Sequence, residues 1–168
     1  GHTLLVRAFD FDAGDTFDTG KLVTVRRPTV GLASVSVAFP GMVGVVSGVN
    51  ERRIAVALQA AGSDAWPRLA TPMTLALRRI LEEAGSLEDV GRILDESRGF
   101  GTEIVLAADG LRGQIAVFEV TPDRVERFDG GDLVGVSNHL RSPVFAADAE
   151  NARRIVEQTT SRRLARIE

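Results

Sequence analysis

The chain has 168 residues, of which 44% are hydrophobic and 26% are charged. This size and composition predict one globular domain and exclude an intrinsically disordered chain. The 20 Lys and Arg residues do not exceed the 23 Asp and Glu residues, which leaves a net charge of -3 and argues against nucleic acid as a partner. No apolar run approaches the roughly 20 residues that span a bilayer. The chain contains no cysteine, so disulfides, thiolate metal sites and a cysteine nucleophile are excluded among these residues.

Both ends of the sequence resemble interrupted elements. The chain passes from Gly1 directly into an alternating apolar run, and its last helical pattern reaches Glu168 without a capping glycine. We therefore expect residues 1–168 to be a single but partial domain, with further chain on both sides.

The first half of the chain is strand-like. Its apolar segments are rich in Val, Leu and Ile, and Gly, Pro or Asn separates most of them. The predicted strands cover residues 3–9, 22–26, 32–39, 42–49 and 54–60.

A helical hairpin is predicted next. Thr71 and Pro72 supply an N-cap and a first helical position, and Gly85 ends this helix. Ser86 then caps a second helix, with Asp89 at the third position of a capping box. Strands resume over residues 103–107, 114–120, 124–128 and 133–136, and the segment from about residue 146 is helical again.

This order of elements predicts the fold class. Clustered strands, then helices, then strands are typical of antiparallel sheets with helices outside them, rather than of alternating βαβ units. The segments 32–39 and 42–49 are apolar on one face and carry Ser, Gly or Ala on the other, which suits a sheet covered on both faces. We predict an α+β fold with two stacked, mainly antiparallel sheets flanked by helices.

Two opposite charges lie at the end of the first predicted strand. Burying Arg7 and Asp10 would be costly unless they are paired, which makes them candidates for a functional site. Strand alternation places Arg7 on the face of Phe9 and Asp10 on the other face, so a bend near Asp10 is predicted. The alternative is a structural ion pair or two solvated charges.

Three acidic residues invite a calcium-site interpretation that fails. Asp10 and Asp12 fit the first two ligand positions of an EF-hand loop, but Gly14, Asp15 and Lys21 occupy positions that need a carboxylate, a glycine and a glutamate. We predict a solvated acidic loop and no metal site.

Asn138 ends the last predicted strand. Its side-chain amide could stabilise an oxyanion, as donors do in acyl transfer, and the alternative is a turn asparagine with a local backbone bond. A Ser-His-Asp triad would need His2 or His139, and no G-x-S-x-G motif supports one. In the loop 62–70, Trp66 is a candidate pocket wall or a packed loop aromatic.

Five short motifs follow one another along nearly the whole chain. In this order and spacing they resemble the choloylglycine hydrolase and penicillin acyltransferase families, in particular the acyl-CoA:6-aminopenicillanate acyltransferase-like branch. Members of that branch carry Arg-Asn-x-Asp, Asn-Glu-x-Gly-Leu and Thr-Asn-His. The motifs here are Arg7-Ala8-Phe9-Asp10, Val49-Asn50-Glu51, Asp109 with Glu119, Ser137-Asn138-His139 and Ser161-Arg162-Arg163.

The resemblance implies the four-layer αββα sandwich of N-terminal-nucleophile hydrolases. It also implies hydrolysis or acyl transfer at a linear amide of a small molecule, through an N-terminal cysteine, its own α-amine as base and an acyl-thioester intermediate. No cofactor is implied. By motif, Arg7 would orient the cysteine and lower its pKa, Asp10 would bond the α-amine, Asn138 would donate to the oxyanion, and Arg162 would support the group electrostatically.

The sequence also departs from the family pattern. The cysteine should lie a short strand upstream of Gly1, and Ala8, Ser137 and Arg53 stand where Asn, Thr and Gly are usual. The segment 54–60 should contribute a second oxyanion donor, where relatives often have Asn. Gln59 and Ala60 occupy that neighbourhood here, so at Ala60 only a backbone N–H could serve. The alternative function is therefore a non-catalytic relative that binds a ligand or a partner. An incomplete sandwich would expose an apolar sheet face, which favours a homo-oligomer.

Overall fold

A computed structural model describes residues 3–9 and 20–168. Its main feature is a seven-stranded antiparallel sheet in which every strand pairs with its neighbour in the sequence. The strands are β1 (Leu22–Arg26), β2 (Ser34–Ala38), β3 (Ser47–Asn50), β4 (Ile54–Ala60), β5 (Glu103–Asp109), β6 (Gln114–Val120) and β7 (Val125–Gly130).

Four α-helices accompany the sheet in the described residues. They are α1 (Met73–Glu83), α2 (Leu87–Ser97), α3 (Ala149–Glu157) and α4 (Thr160–Leu164), and a short 3₁₀ helix covers Pro143–Phe145. The α+β class, with an antiparallel sheet and flanking helices, is confirmed. No helix in this part of the chain is both long and apolar enough to cross a membrane.

The cap of α2 forms as the sequence predicts. The Ser86 hydroxyl accepts a hydrogen bond from the Asp89 N–H at 3.1 Å and donates one to the Asp89 carboxylate at 3.0 Å. The Gly85 N–H also donates to that carboxylate, and these bonds hold the pKa of Asp89 below its ordinary value. The predicted cap of α1 is one residue out, because Pro72 rather than Thr71 is its N-cap.

The core lies between the sheet and the α1–α2 hairpin. Side chains from β4, β5 and β6 alternate, so that one face of each strand packs against the apolar stripes of the two helices. A smaller cluster on the opposite face contains Ile104, Val117, Leu140 and Phe145. The C-terminal segment therefore covers part of the sheet face that α1 and α2 leave open.

The β3–β4 turn contains Arg53, which stands where glycine is usual in the family. Arg53 adopts φ 62°, the left-handed conformation that favours glycine. The turn is held by Asn50, whose side chain donates to the Ala84 carbonyl at 2.8 Å and accepts from the Ile54 N–H at 3.0 Å. This asparagine joins the hairpin to the end of α1, a structural role.

Two predicted strands are wrong within the described residues. Residues 3–9 and 133–136 do not form strands. Apolar alternation is not enough for a strand, because a neighbouring strand must also supply hydrogen bonds. The described residues contain one sheet, and the second sheet of the sandwich stays a prediction. The predicted bend at Asp10 and the acidic loop lie outside the described residues, apart from Lys21.

An apolar stripe crosses the first three strands. Val23, Val25, Val35, Val37 and Val49 are paired across β1, β2 and β3, so they share one face of the sheet. Each is at least 40% exposed among the described residues. This agrees with the expected exposed sheet face, whereas association into an oligomer stays a prediction.

Candidate active site

The candidate site is built at the end of β4, where its pairing with β3 stops. The last contact between them is the hydrogen bond from the Leu58 N–H to the Val46 carbonyl, at 2.8 Å. Beyond it, Gln59 and Ala60 remain paired with β5 on the other side. Among residues 3–9 and 20–168, no strand pairs with the other edge of β4 at this point, and we call this the open edge.

Arg7 and Asn138 both bind this open edge. The Arg7 Nη2 donates to the Leu58 carbonyl at 2.7 Å, and the Asn138 Nδ2 donates to the Ala60 carbonyl at 2.7 Å. Carbonyls of alternate residues point to the same side of a strand and lie roughly 7 Å apart along it. The fold thus brings together two of the residues that the sequence singles out.

The same alternation orients a backbone donor. In an antiparallel strand the N–H and C=O of one residue point to the same side, so the Ala60 N–H points to the open edge with its carbonyl. This is the N–H that the sequence left as the second oxyanion donor. The site therefore offers two donors at one strand edge, the Asn138 side-chain amide and the Ala60 backbone N–H.

Asn138 is fixed at both ends of its amide group. Its Oδ1 accepts from the Arg163 Nη1 at 2.9 Å while its Nδ2 donates to the Ala60 carbonyl. A guanidinium can only donate and a carbonyl can only accept, which settles the orientation of the amide. One Nδ2 hydrogen is used by Ala60, so the second can meet a ligand.

The Thr160 hydroxyl contacts the backbone N–H of Asn138 and the side chains of its two neighbours, Ser137 and His139. The fully buried hydroxyl accepts from the Asn138 N–H at 2.8 Å, donates to the Ser137 hydroxyl at 2.8 Å and lies 2.9 Å from the His139 Nδ1. Since a hydroxyl has one proton to donate, His139 must supply the proton in its own contact.

His139 has a structural role in this arrangement. Burial lowers its pKa, and the positive charge of Arg141 lowers it further. The neutral ring therefore carries its proton on Nδ1 and donates it to Thr160. This use of His139 fits the absence of a serine-protease motif.

The Arg7 guanidinium lies against an aromatic pair. Its Cζ is 4.6 Å from the centroid of the Phe9 ring, within the range of a cation–π contact. Phe9 in turn lies 5.3 Å from Phe39, centroid to centroid. These contacts fix the positive charge beside an apolar surface, where it acts more strongly than in water.

Two cavities meet at this point. One is lined by Arg7 and Glu103, among others, and is called the Arg7–Glu103 cavity; its volume is about 270 Å³. The other is lined by Asn138 and Arg166, among others, and is called the Asn138–Arg166 cavity; its volume is about 300 Å³. Their shared lining residues are Arg7, Ala8, Gln59 and Asn138. The polar groups on the β4 edge therefore lie at the boundary between the two cavities.

The cavities differ in chemical character. Phe9, Phe39, Met42, Val46 and Leu58 give the Arg7–Glu103 cavity an apolar wall, and Glu103 is its carboxyl group. The Asn138–Arg166 cavity is lined by two cationic residues, Arg163 and Arg166. A larger cavity of about 660 Å³ lies beside residues 3–6 and 110–113 and is lined by neither Arg7 nor Asn138.

The other residues chosen from the sequence lie elsewhere. Arg162 is exposed on α4, and the next residue, Arg163, makes the contact with Asn138. Asp10 lies outside the described residues. Trp66 is 84% exposed and lines neither of the two cavities at the β4 edge.

Two acidic motif residues fix turns instead of lining the site. The buried Asp109 accepts from the N–H groups of Leu111 and Arg112, at 2.9 and 3.0 Å, and pairs with the Arg112 side chain. The buried Glu119 accepts from the N–H groups of Arg141 and Ser142. Glu119 therefore anchors the segment that follows Asn138.

Comparison with known proteins identifies the family. Residues 1–168 match the family model described as acyl-coenzyme A:6-aminopenicillanic acid acyl-transferase. The chain belongs to this family. The resemblance inferred from the motifs is thereby confirmed. A search of curated proteins found no match.

A search of solved structures found several that are similar to this chain. An N-acylethanolamine-hydrolyzing acid amidase ortholog from Caenorhabditis elegans is 14% identical, with a TM-score of 0.59 over 74% of this chain and 58% of that one. A conjugated bile acid hydrolase variant from Clostridium perfringens is 19% identical, with a TM-score of 0.49 over 73% of this chain and 42% of that one. The penicillin V acylase from Agrobacterium tumefaciens is 20% identical, with a TM-score of 0.46 over 61% and 34%.

These structures have N-terminal-nucleophile hydrolase folds, and the nematode protein shares its fold with this chain. The chain spans 58% of the length of that protein and under half of the other two.

Proposed function

We propose that this protein is an amide hydrolase or acyltransferase that uses an N-terminal cysteine located upstream of Gly1. The observation that carries the proposal is the β4 edge, where Arg7 and Asn138 bind alternate carbonyls beside the Ala60 N–H. One fixed positive charge and two fixed N–H donors are what nucleophilic attack on a carbonyl needs. Membership of the acyltransferase family supports the same chemistry.

In the proposed reaction, the cysteine sulfur attacks the amide carbonyl at the boundary between the two cavities. The cysteine α-amine takes the thiol proton, and Arg7 lowers the pKa of that thiol through its charge. The carbonyl oxygen becomes an oxyanion that accepts hydrogen bonds from the Asn138 Nδ2 and the Ala60 N–H. Asp10 would bond the α-amine.

The second half of the reaction releases the products. The C–N bond breaks, and the leaving amine takes the proton that the α-amine holds. Water or a second amine then attacks the thioester, which restores the cysteine. The two cavities suit this scheme because one can hold the acyl group while the other holds the amine.

We infer an electrostatic supporting role for Arg163, which the resemblance suggested for Arg162. The Arg163 bond to Oδ1 polarises the Asn138 amide and strengthens its Nδ2 as a donor. The exposed Arg162 keeps its assignment only as a prediction. The inferred substrate is a linear amide of a small molecule, since the family description names an acyl transfer and the nematode relative is named as an amide hydrolase.

A second candidate function is a non-catalytic module that binds a ligand. It is favoured by the sequence, which holds no cysteine and has Ala8 where an asparagine is usual. In this case the same two cavities would bind a small molecule without cleaving it.

The experiment that separates the two functions begins with the natural protein. N-terminal sequencing and the intact mass should reveal a mature cysteine a short distance before Gly1. The protein should then release 7-amino-4-methylcoumarin from a panel of its N-acyl derivatives. We expect Asn138→Leu to lower kcat about 100-fold or more, as for loss of an oxyanion donor.

The matched control is Arg92→Gln, a change at an exposed ion pair on α2 that should leave turnover unchanged. A residue other than cysteine at the processed end, together with no release from any acyl derivative, would support the binding module and end the enzyme proposal.

A further inference from the structure

Glu103 lies beside the candidate site and takes no part in the proposed reaction. It is the first residue of β5, and its direct partner on β4 is Ala60. Paired residues project side chains to the same face of a sheet, and so does Leu58, two residues before Ala60. The Glu103 side chain is therefore directed to the face on which Leu58 contributes to the Arg7–Glu103 cavity.

The Glu103 carboxyl is distinguished by its lack of partners. Within the described part of the chain it makes no hydrogen bond and no ion pair, although it is partly buried and faces an apolar wall. The two fully buried carboxyls, Asp109 and Glu119, each accept bonds from two backbone N–H groups. An apolar surrounding without compensation is costly for a carboxylate.

The electrostatics agree with this geometry. Burial raises the pKa of Glu103 to about 7, and the positive charge of Arg154 opposes that rise. A donor placed against the carboxyl would compensate its lost hydration. The other polar side chains of the lining, Arg7, Gln59 and Asn138, belong to the β4 edge, and the remaining wall is largely apolar. The complementary ligand is therefore an apolar chain that carries one donor group for Glu103.

We propose that Glu103 determines specificity in the Arg7–Glu103 cavity, by binding an amino or hydroxyl group on the acyl chain of the amide substrate. The proposal rests on the proposed function for the assignment of this cavity to the acyl group. The aromatic and aliphatic wall binds the hydrocarbon part of that chain. Glu103, the strand partner of Ala60, accepts the N–H or O–H of the amino or hydroxyl group.

The test measures binding and requires no cysteine. Hexanamide, 6-hydroxyhexanamide and 6-aminohexanamide are titrated by calorimetry at pH 8.5 into the full natural protein, with any N-terminal cysteine replaced by alanine so that no amide is cleaved. Because a hydrogen bond to a charged group contributes about 1.5 kcal/mol or more, the two substituted amides should bind at least tenfold more tightly than hexanamide. The amine should bind more tightly than the alcohol if its ammonium group is the natural donor, and less tightly if a hydroxyl is.

Two variants locate the effect. Glu103→Leu should remove the preference and bind hexanamide at least as tightly as either substituted amide. Glu103→Gln keeps the shape and should retain a preference for the alcohol while it loses at least tenfold in affinity for the amine. The control is Glu88→Leu, which removes an exposed carboxyl on α2 and should leave all three affinities unchanged.

An equal affinity for all three amides in the unmodified chain would overturn the proposal, and so would an unchanged preference in Glu103→Leu. If Glu103→Leu does not fold, an unaltered affinity of Glu103→Gln for the amine overturns it instead. The proposed reaction is judged separately on the full natural protein. Donor-dependent binding without amide cleavage would end the enzyme proposal alone, whereas cleavage with equal kcat/KM for matched acyl chains would end this one alone.

Discussion

The raised pKa of Glu103 predicts that removing its charge stabilises the protein at high pH. In the folded state this pKa is about 7, against 4.5 for an ordinary glutamate. Between pH 4.5 and pH 7, Glu103 therefore holds a proton in the folded state that it has lost in the unfolded chain. Its stabilising contribution is complete below about pH 4.5 and is lost as the pH rises through 7.

The size of the effect follows from the same two values. Each pKa unit corresponds to about 1.4 kcal/mol, so the loss in free energy of unfolding is about 3 kcal/mol between pH 4 and pH 8.5. Glu103→Gln replaces the carboxyl with a neutral group of the same shape. We expect it to match the unmodified protein near pH 4 and to exceed its free energy of unfolding by about 3 kcal/mol at pH 8.5.

Urea denaturation followed by far-ultraviolet circular dichroism provides the measurement, at four values from pH 4 to pH 8.5. The difference between variant and unmodified protein isolates Glu103, because other titrating groups are common to both. Glu88→Gln is the control, since the pKa of the exposed Glu88 is lowered through backbone and Arg127 hydrogen bonds. The Glu88 carboxylate therefore stabilises the folded state in its charged form, and this contribution to stability is lost as the pH falls. A flat difference for Glu103→Gln, or one that grows at low pH, would refute the reasoning.

Three further predictions concern the polar network and the β3–β4 turn. Thr160→Val should lower the free energy of unfolding by about 2 kcal/mol, because the Asn138 N–H and the Ser137 hydroxyl lose a buried partner. Thr160→Ser keeps the hydroxyl and should retain most of the stability, as measured by denaturant unfolding. Arg163→Met should lower kcat of the full natural protein about tenfold, a loss of about 1.4 kcal/mol, with KM nearly unchanged; an equal loss in Arg162→Met would contradict the geometry. Asn50→Ala should cost about 2 kcal/mol through its bonds to the Ala84 carbonyl and the Ile54 N–H, and an unchanged denaturation midpoint would contradict this.

The strands and helices of the core could be predicted because local pattern and tertiary environment agree there. In β4 to β6 the apolar alternation coincides with pairing on both sides, and in α2 the Ser86 cap coincides with the start of an apolar stripe. Residues 3–9 have the same alternation, but a strand also needs a hydrogen-bonded neighbour, which alternation cannot reveal. The same limit applies to residues 133–136.

The candidate site could be predicted only where short motifs mark it. The order of the motifs selected Arg7 and Asn138, which the fold brings to one strand edge. The motif gave the supporting role to Arg162, whereas Arg163 is the residue that contacts Asn138. Successive helical residues differ by about 100° in direction, so only the packing of α4 decides which of the two reaches Asn138. Thr160 and Glu103 were missed, since one buried hydroxyl and one residue at a strand end have no local signal.

The β4 edge also links stability to the proposed chemistry. An unpaired strand edge leaves backbone groups that need partners, and here Arg7 and Asn138 supply them for the carbonyls of Leu58 and Ala60. Arg7→Leu should therefore cost about 1–3 kcal/mol of stability because the carbonyl of the buried Leu58 loses its partner, in addition to any effect on a thiol pKa. Arg7→Lys keeps a charge and a donor, so it should recover part of the stability. If Arg7→Leu unfolds at the same denaturant concentration as the unmodified protein, the Leu58 bond contributes nothing to the fold, and the charge of Arg7 would have to be explained by its function alone.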